Sequence, residues 1–295
     1  MPAERLSGRV IAAHGRHFLV DDGDAVTECV TRGKKGGVAC GDRVRFARTH
    51  EGSGVIEDVE PRFNLLYRSD EFRSKLIAAN LDLAVVVTAA VPYFREELLI
   101  RCLLATEVAD IPAHIVLNKT DLPETAALAG YLQAYEELGY KVVPVSALGD
   151  IGVLEADLKD KTSVLVGASG MGKSSLLNRL VPGADAAVGE ISQALDAGRH
   201  TTTHARLYPL VRGGALIDSP GMQEFGLKHL NQQELMAAFP EIRNRLGQCR
   251  FHNCRHLKEP GCAVLAAAQA GDILPSRLRV YHALLKGQKA DYNTV

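Results

Sequence analysis

Eight consecutive residues carry the clearest chemistry in this 295-residue chain: Gly167, Ala168, Ser169, Gly170, Met171, Gly172, Lys173 and Ser174, with Ser175 following. The three glycines let a backbone wrap closely round an anion with no side chain in the way. A lysine at that spacing reaches the outer phosphates of a nucleotide, and the serine hydroxyl beside it binds Mg²⁺. The pattern GxxxxGK[ST] needs a strand before it and a helix after it, because the helix N-terminus aims free N–H groups at the phosphates. Ser163 to Val166 reads as that strand, and Lys173 to Leu180 as the opening of that helix.

Asn118-Lys119-Thr120-Asp121 lies upstream. The Asp121 carboxylate accepts hydrogen bonds from the N1–H and N2–H₂ edge of guanine. Adenine has no such pair of donors, so the pattern selects GTP over ATP. Ser146-Ala147, at the end of the next strand-like run, supplies a loop that supports the base. Asp218-Ser219-Pro220-Gly221 matches DxxG. Asp218 would hold Mg²⁺ through water, and the Gly221 N–H would sense the γ-phosphate. Gly198-Arg199-His200-Thr201-Thr202-Thr203, between the phosphate loop and Asp218, occupies the place of a first switch; one of its threonines should complete the Mg²⁺ shell, the spacing does not say which, and Thr202 is the one chosen.

Ordinary GTPases carry the base-reading motif after the phosphate loop. The reversed order predicts a circularly permuted GTPase domain whose new C-terminal end lies at the nucleotide-sensing switches. Met222 stands where many GTPases have a water-orienting glutamine. A thioether hydrogen-bonds weakly, so hydrolysis must use another group or wait for a partner. His200, His204 and His229 are near in sequence. Taken singly, each reads as a surface or packing histidine.

A separate cluster follows. Cys249-x4-Cys254-x-His256-x5-Cys262 offers three thiolates and one imidazole. Zinc takes four such ligands in a tetrahedron, and with all four places filled the role is structural. Zinc would stabilise a short segment with little core of its own. His252 rivals His256 for the imidazole position, and an iron–sulfur cluster is a lesser alternative.

These side chains need a framework. Short strand-like runs separated by turns, Gly8–Ala13, His17–Val20, Ala25–Val30 and Asp42–Phe46, make residues 1–62 a small β-barrel. The OB-fold is a common barrel of this size, and an SH3-like barrel satisfies the periodicity almost as well. Pro61 to Lys75 reads as a linker. Strands and helices alternate from Leu83 to Asp218, which implies a mostly parallel sheet covered on both faces. Each nucleotide motif falls at a strand's C-terminal end, where such sheets bind ligands. Beyond about residue 235 come the Cys/His cluster and two helices, Ala263–Ala270 and Ser276–Leu285. The domains are thus residues 1–62, 63–235 and 236–295 of a multidomain α/β protein.

Bulk composition narrows the classes. No apolar run reaches the roughly 18 residues a membrane span needs, and the N-terminus lacks a signal-peptide pattern, so a cytoplasmic protein is expected. Three lone and three clustered cysteines argue for a metal site over a disulfide framework. The net charge of −1 carries no sign of polyanion binding. Local charge does. Arg32, Lys34, Lys35, Arg43, Arg45 and Arg48 face only Asp42 in sequence. Arg243, Arg245, Arg250, Arg255, Lys258, Arg277, Arg279, Lys286 and Lys289 face only Glu259 and Asp272. Such asymmetry marks either polyanion contact or a solvated basic surface.

The ordered set NKTD, SA, GASGMGKSS, GRHTTTH, DSPG and C-x4-C-x-H-x5-C resembles the small-ribosomal-subunit-dependent, circularly permuted GTPases known as RsgA or YjeQ. The resemblance spans essentially the whole chain, including Ala78-Ala79-Asn80-Leu81-Asp82 at the entrance to the GTPase region. It implies an N-terminal OB-fold, a central P-loop GTPase and a C-terminal zinc-binding helical domain. It also implies a cytoplasmic bacterial factor acting late in small-subunit maturation, bound to 16S-type rRNA near the decoding region, with weak hydrolysis that the subunit stimulates. A catalytic histidine shortly after DxPG is proposed for the family, and that placement raises His229 above His200 and His204. The expected catalytic residues are then Lys173 and His229. The expected partners are GTP or GDP and the small subunit with its rRNA, with no membrane, and the expected state is a monomer. A rival from another class is a binding module in which GTP occupancy alone is the switch. A GTPase serving metal-cofactor or tRNA-modifying systems shares the phosphate loop but neither the permuted order nor the zinc pattern.

Overall fold

The computed structural model describes residues 5–32, 37–50, 53–69, 74–184, 205–219, 226–227 and 229–287. Thr202, Gly221 and Met222, with His200, His204, Lys34, Lys35 and Lys289, lie outside the described residues.

Five strands, β1 (Arg5–His14), β2 (His17–Asp21), β3 (Val26–Thr31), β4 (Arg43–His50) and β5 (Ser53–Val59), form the N-terminal unit. The side chains of β2 alternate between faces, Phe18 and Val20 going inward. With Val10, Cys29, Val44, Phe46 and Ile56 they make a core of their own. Pairing runs β1–β2–β3–β5–β4 and returns to β1 through Arg5↔Ala47 to Arg9↔Arg43, so the barrel closes and leaves no open edge. Only β3–β5 is parallel. This closed order is OB-like and resolves the choice between barrels.

The stretch read as a linker is largely a hairpin, β6 (Leu65–Ser69) with β7 (Ser74–Ala79). Its charged residues masked the strand pattern. Tertiary contacts hold it: the Asn64 side chain brackets Leu81, donating to its carbonyl and accepting from its N–H, both at 2.8 Å. The barrel presses on this hairpin at Gly41, where φ is +94° and a Cβ would lie 2.3 Å from the Ala79 carbonyl oxygen. Only glycine fits there.

Next come β8 (Leu83–Thr88), α1 (Glu96–Val108), β9 (Ala113–Leu117), α2 (Thr125–Glu137), β10 (Lys141–Pro144), α3 (Gly152–Leu158), β11 (Thr162–Gly167) and α4 (Lys173–Leu180). They are followed by β12 (Arg206–Pro209) and β13 (Ala215–Asp218). The sheet order is β10-β9-β8-β11-β13-β12, parallel except for β12. All six β8 residues are buried, as a continuous apolar run in a covered parallel sheet requires. The sheet then continues into the barrel. Ala12 of β1 pairs with Arg206 of β12, and the Arg9 guanidinium donates to Thr162 Oγ1 at 2.9 Å.

The C-terminal part adds α5 (Gln232–Ala238), α6 (Pro240–Arg243), α7 (Ala263–Ala270) and α8 (Pro275–Gly287). Asn231 and Glu234 cap α5 reciprocally. α5 and α8 pack on α1, so Val264, Tyr281 and Leu285 share one core with the GTPase sheet. Two polar nodes fix that contact. The Glu96 carboxylate accepts from Tyr135 at 3.0 Å, from Ser276 at 2.6 Å and from Tyr131. Arg277, with no exposed surface, donates to Glu241 at 2.5 and 3.0 Å between the rings of Tyr135 and Phe239.

Candidate nucleotide and metal sites

The phosphate loop forms where β11 hands over to α4. Gly167, Gly170 and Gly172 all take positive φ, at 140°, 82° and 93°. Gly172 is the N-cap of α4, and a Cβ there would lie 2.2 Å from Asn118 Nδ2. The glycine is therefore the contact point between the phosphate loop and the base-reading motif. Asn118 uses its whole amide on this join. Its Nδ2 donates to the Met171 carbonyl at 2.9 Å, and its Oδ1 accepts from Ala147 N–H at 3.1 Å. Three segments distant in sequence are thus pinned by one side chain.

Lys119, at φ 65°, sends Nζ to the carbonyls of Val91 and Gly170, both at 2.8 Å. Thr120 N–H bonds to Val145, which ties the base-reading turn to β10. The Asp121 carboxylate accepts from Ser146 Oγ at 2.5 Å and stays exposed. Arg179 of α4 holds the Ala147 and Gly149 carbonyls at 3.2 and 3.0 Å. The sequence offered no signal for Arg179 or for the Val91 loop, because both act through backbone carbonyls brought close only by folding.

Lys173 is buried, with Nζ on the carbonyls of Gly167 and Ala168 at 2.9 and 2.7 Å. Burial pulls its ammonium pKa down, and Asp218 opposes that shift. Asp218 ends β13, also buried, and burial pushes its carboxyl up to about 6 against the pull of Lys173. Ser169 lies at the exposed turn of the loop, and Ser174 and Ser175 face outward on the first turn of α4. A hydroxyl and a carboxylate beside a buried lysine suit a hard, oxygen-seeking cation held with phosphate.

His229 lies apart from this cluster in its described contact. Its ring stacks on Tyr67 of the hairpin at 4.4 Å between centroids. Burial lowers its pKa, with Glu234 opposing, which favours the neutral imidazole.

Cys249, Cys254, His256 and Cys262 bring their ligand atoms within 4.8 Å of one another. Cys249 and Cys262 sulfurs are 3.9 Å apart, and His256 Nδ1 is 3.6 and 3.3 Å from them. Zinc–sulfur bonds of about 2.3 Å place tetrahedral sulfurs about 3.8 Å apart, so the donors fit that ion. His256 takes φ 60° to turn inward, whereas His252 is exposed and outside the cluster. Tyr281 OH and His282 Nε2 reach the Arg255 and His256 carbonyls at 3.0 and 2.8 Å, tying the cluster to α8.

The basic stretches look different once folded. Arg32 meets Glu57, Arg45 meets Glu60 and Arg48 meets Asp22, while Arg62 is bidentate on Asp42. Arg243, Arg245 and Arg277 are matched by Glu107, Asp272 and Glu241. Three cations of each stretch are thus neutralised, mostly by acids outside it that a local charge count does not see.

Comparison with known proteins agrees with this geometry. A family described as RsgA GTPase matches residues 59–228. Proteins named "Small ribosomal subunit biogenesis GTPase RsgA" are 52% identical. The one from Nitrosospira multiformis aligns over 95% of this chain and 90% of its own length. That from Burkholderia pseudomallei aligns over 96% and 92%. Among solved structures, YjeQ from Thermotoga maritima superposes with a TM-score of 0.74 at 30% identity, covering 97% of this chain and all of that one. YloQ, described as a circularly permuted GTPase, gives 0.71 at 30% identity, with 98% of both chains covered.

Proposed function

The chain belongs to the RsgA GTPase family, a GTP hydrolase, and on that premise we propose that its hydrolysis serves biogenesis of the small ribosomal subunit in the bacterial cytoplasm. The observation that carries the reading is the join made by Asn118, which locks a guanine-selecting motif to a phosphate loop lying downstream of it.

In this reading Asp121, held by Ser146, accepts from the guanine edge, and the Ser146-Ala147 loop lines the base pocket. Loop N–H groups from Gly167 to Ser175 cradle the phosphates. Lys173 leaves its loop carbonyls for the outer phosphates and stabilises charge that develops there, the electrostatic core of such catalysis. When bound, Mg²⁺ would supply positive charge that offsets the charge of the phosphates. Ser174 and Asp218 would hold it, with Thr202 completing its shell and the Gly221 N–H sensing the γ-phosphate. His229, its pKa lowered by burial, would orient or deprotonate the attacking water. The sulfurs of Cys249, Cys254 and Cys262 with His256 Nδ1 would hold one structural zinc. The barrel and the zinc segment would contact rRNA, and the protein would act as a monomer.

The test is steady-state hydrolysis of GTP with and without purified small subunits, with ATP as control. Strong stimulation of GTP turnover alone is expected. Tight GTP binding without stimulation would remove the small subunit as activator.

A further inference from the structure

Ion pairing leaves an uneven residue of charge. Arg243, Arg245 and Arg277 are consumed by carboxylates, but Arg250, Arg255 and Lys258 have no carboxylate partner among the described residues and are exposed. Glu259, the acid nearest them in sequence, is half-buried and turned onto the backbone of its own turn. Its carboxylate accepts from the N–H groups of Arg255, Leu257 and Lys258 at 3.1, 2.8 and 3.0 Å. Those bonds hold its pKa down at about 2, so it stays tied to the backbone.

Phe251 lies in the same short segment as these cations. It is 41% exposed, and the Arg250 guanidinium carbon lies 5.5 Å from its ring centroid. The backbone beneath is fixed. Arg250 N–H bonds to Gly261 at 3.0 Å, and Cys254 N–H bonds to Phe251 at 3.2 Å. Gly261, at φ 72°, leaves only 2.9 Å between a would-be Cβ and Arg250 Cβ. An exposed aromatic on a rigid turn, with one guanidinium over its ring and two more exposed cations within seven residues of it, matches how proteins take unpaired nucleotides, the bases stacking and the phosphates meeting the charges. A double helix presents no open base face to such a ring.

We propose that this turn is a single-stranded RNA site, with Phe251 stacking on an unpaired base while Arg255 and Lys258 hold the adjoining phosphates. It rests on the ribosomal reading above and places the RNA contact at one turn of the zinc segment.

The experiment titrates the full chain with a fluorescein-labelled single-stranded RNA of about 12 nucleotides, with a duplex of equal length, and with small subunits. Phe251→Leu should lose roughly 10-fold in affinity for the single strand and weaken subunit binding, with duplex binding and unstimulated hydrolysis unchanged. Phe251→Trp should restore the affinity. Lys258→Gln should lessen the salt dependence by about one unit of slope. Zinc content and melting temperature of each variant establish that it is folded. Wild-type affinity of Phe251→Leu for the single strand overturns the site. Weaker subunit binding with unchanged single-strand binding also overturns it and makes Phe251 a contact to ribosomal protein. Phe251-dependent RNA binding in a chain that binds no small subunit would uphold the site and overturn the ribosomal reading instead.

Discussion

In the proposed reading, much of the specificity rests on the one carboxylate of Asp121. Its oxygens would accept from guanine's facing edge, which donates. Asp121→Asn turns an amide N–H₂ toward those donors and leaves buried polar groups mismatched, a penalty that runs to several powers of ten. GTP affinity should fall more than about 100-fold. Xanthosine triphosphate, which offers a carbonyl in place of the N2 amine, should bind better to the variant than to the wild type. Competition against a fluorescent GDP checks both. His229 yields a pH prediction. Burial lowers its folded pKa below the unfolded value of about 6.5, so the unfolded chain takes up the proton first. Its contribution to stability is therefore whole above about pH 6.5 and is lost as pH falls toward the folded pKa. His229→Gln should unfold in urea with a shallower pH dependence between about 7.5 and 5.5 than the wild type. Equal slopes would mean that the imidazole is solvated in the folded protein.

At the scale of elements, α8 is held to the GTPase unit by buried polar groups as well as by apolar contact. Arg277→Met alone strands the Glu241 carboxylate, which is 3% exposed. A buried charge without its partner costs about 3–5 kcal/mol, while replacing both members of such a pair with apolar groups is often neutral. Urea unfolding should show that loss for Arg277→Met and recovery in Arg277→Met with Glu241→Leu. A double variant no more stable than the single one would remove the pair from that account. Elements also set the limits of sequence reading. β8, β11 and α4 were legible because a buried parallel strand and a phosphate-loop helix each dictate their own local pattern. The β6–β7 hairpin and β5 were not. The charged Arg68 and Lys75 and the glycine at position 54 weaken the alternation, and pairing with the neighbouring strands is what makes these segments extended.

For the whole molecule, the zinc segment does not stand by itself. Cys254, Cys262, Val264 and Tyr281 belong to the same core as α1 and the central sheet. Removing the metal should therefore disturb the GTPase unit too. The protein should release one zinc per chain on thiol modification, read with a chromogenic chelator, and chelation should lower the melting temperature of the whole unit. An unchanged melt after zinc loss would mean that the segment unfolds independently. The barrel is joined just as directly, since β1 continues the GTPase sheet through β12, the first described strand after the switch region. Local spacing by itself determined the chemistry: a glycine loop closes on phosphate, an NKxD turn reads guanine, and three cysteines with a histidine suit zinc, because each depends on residues near one another in the chain. Only the tertiary structure decided which histidine joins the cysteines, that the barrel closes on β4, and that acids elsewhere in the chain pair with three cations of each basic stretch. The last two depend on groups tens of residues or more apart, and the first on the backbone turn at His256, where φ is 60°, so no local pattern records them.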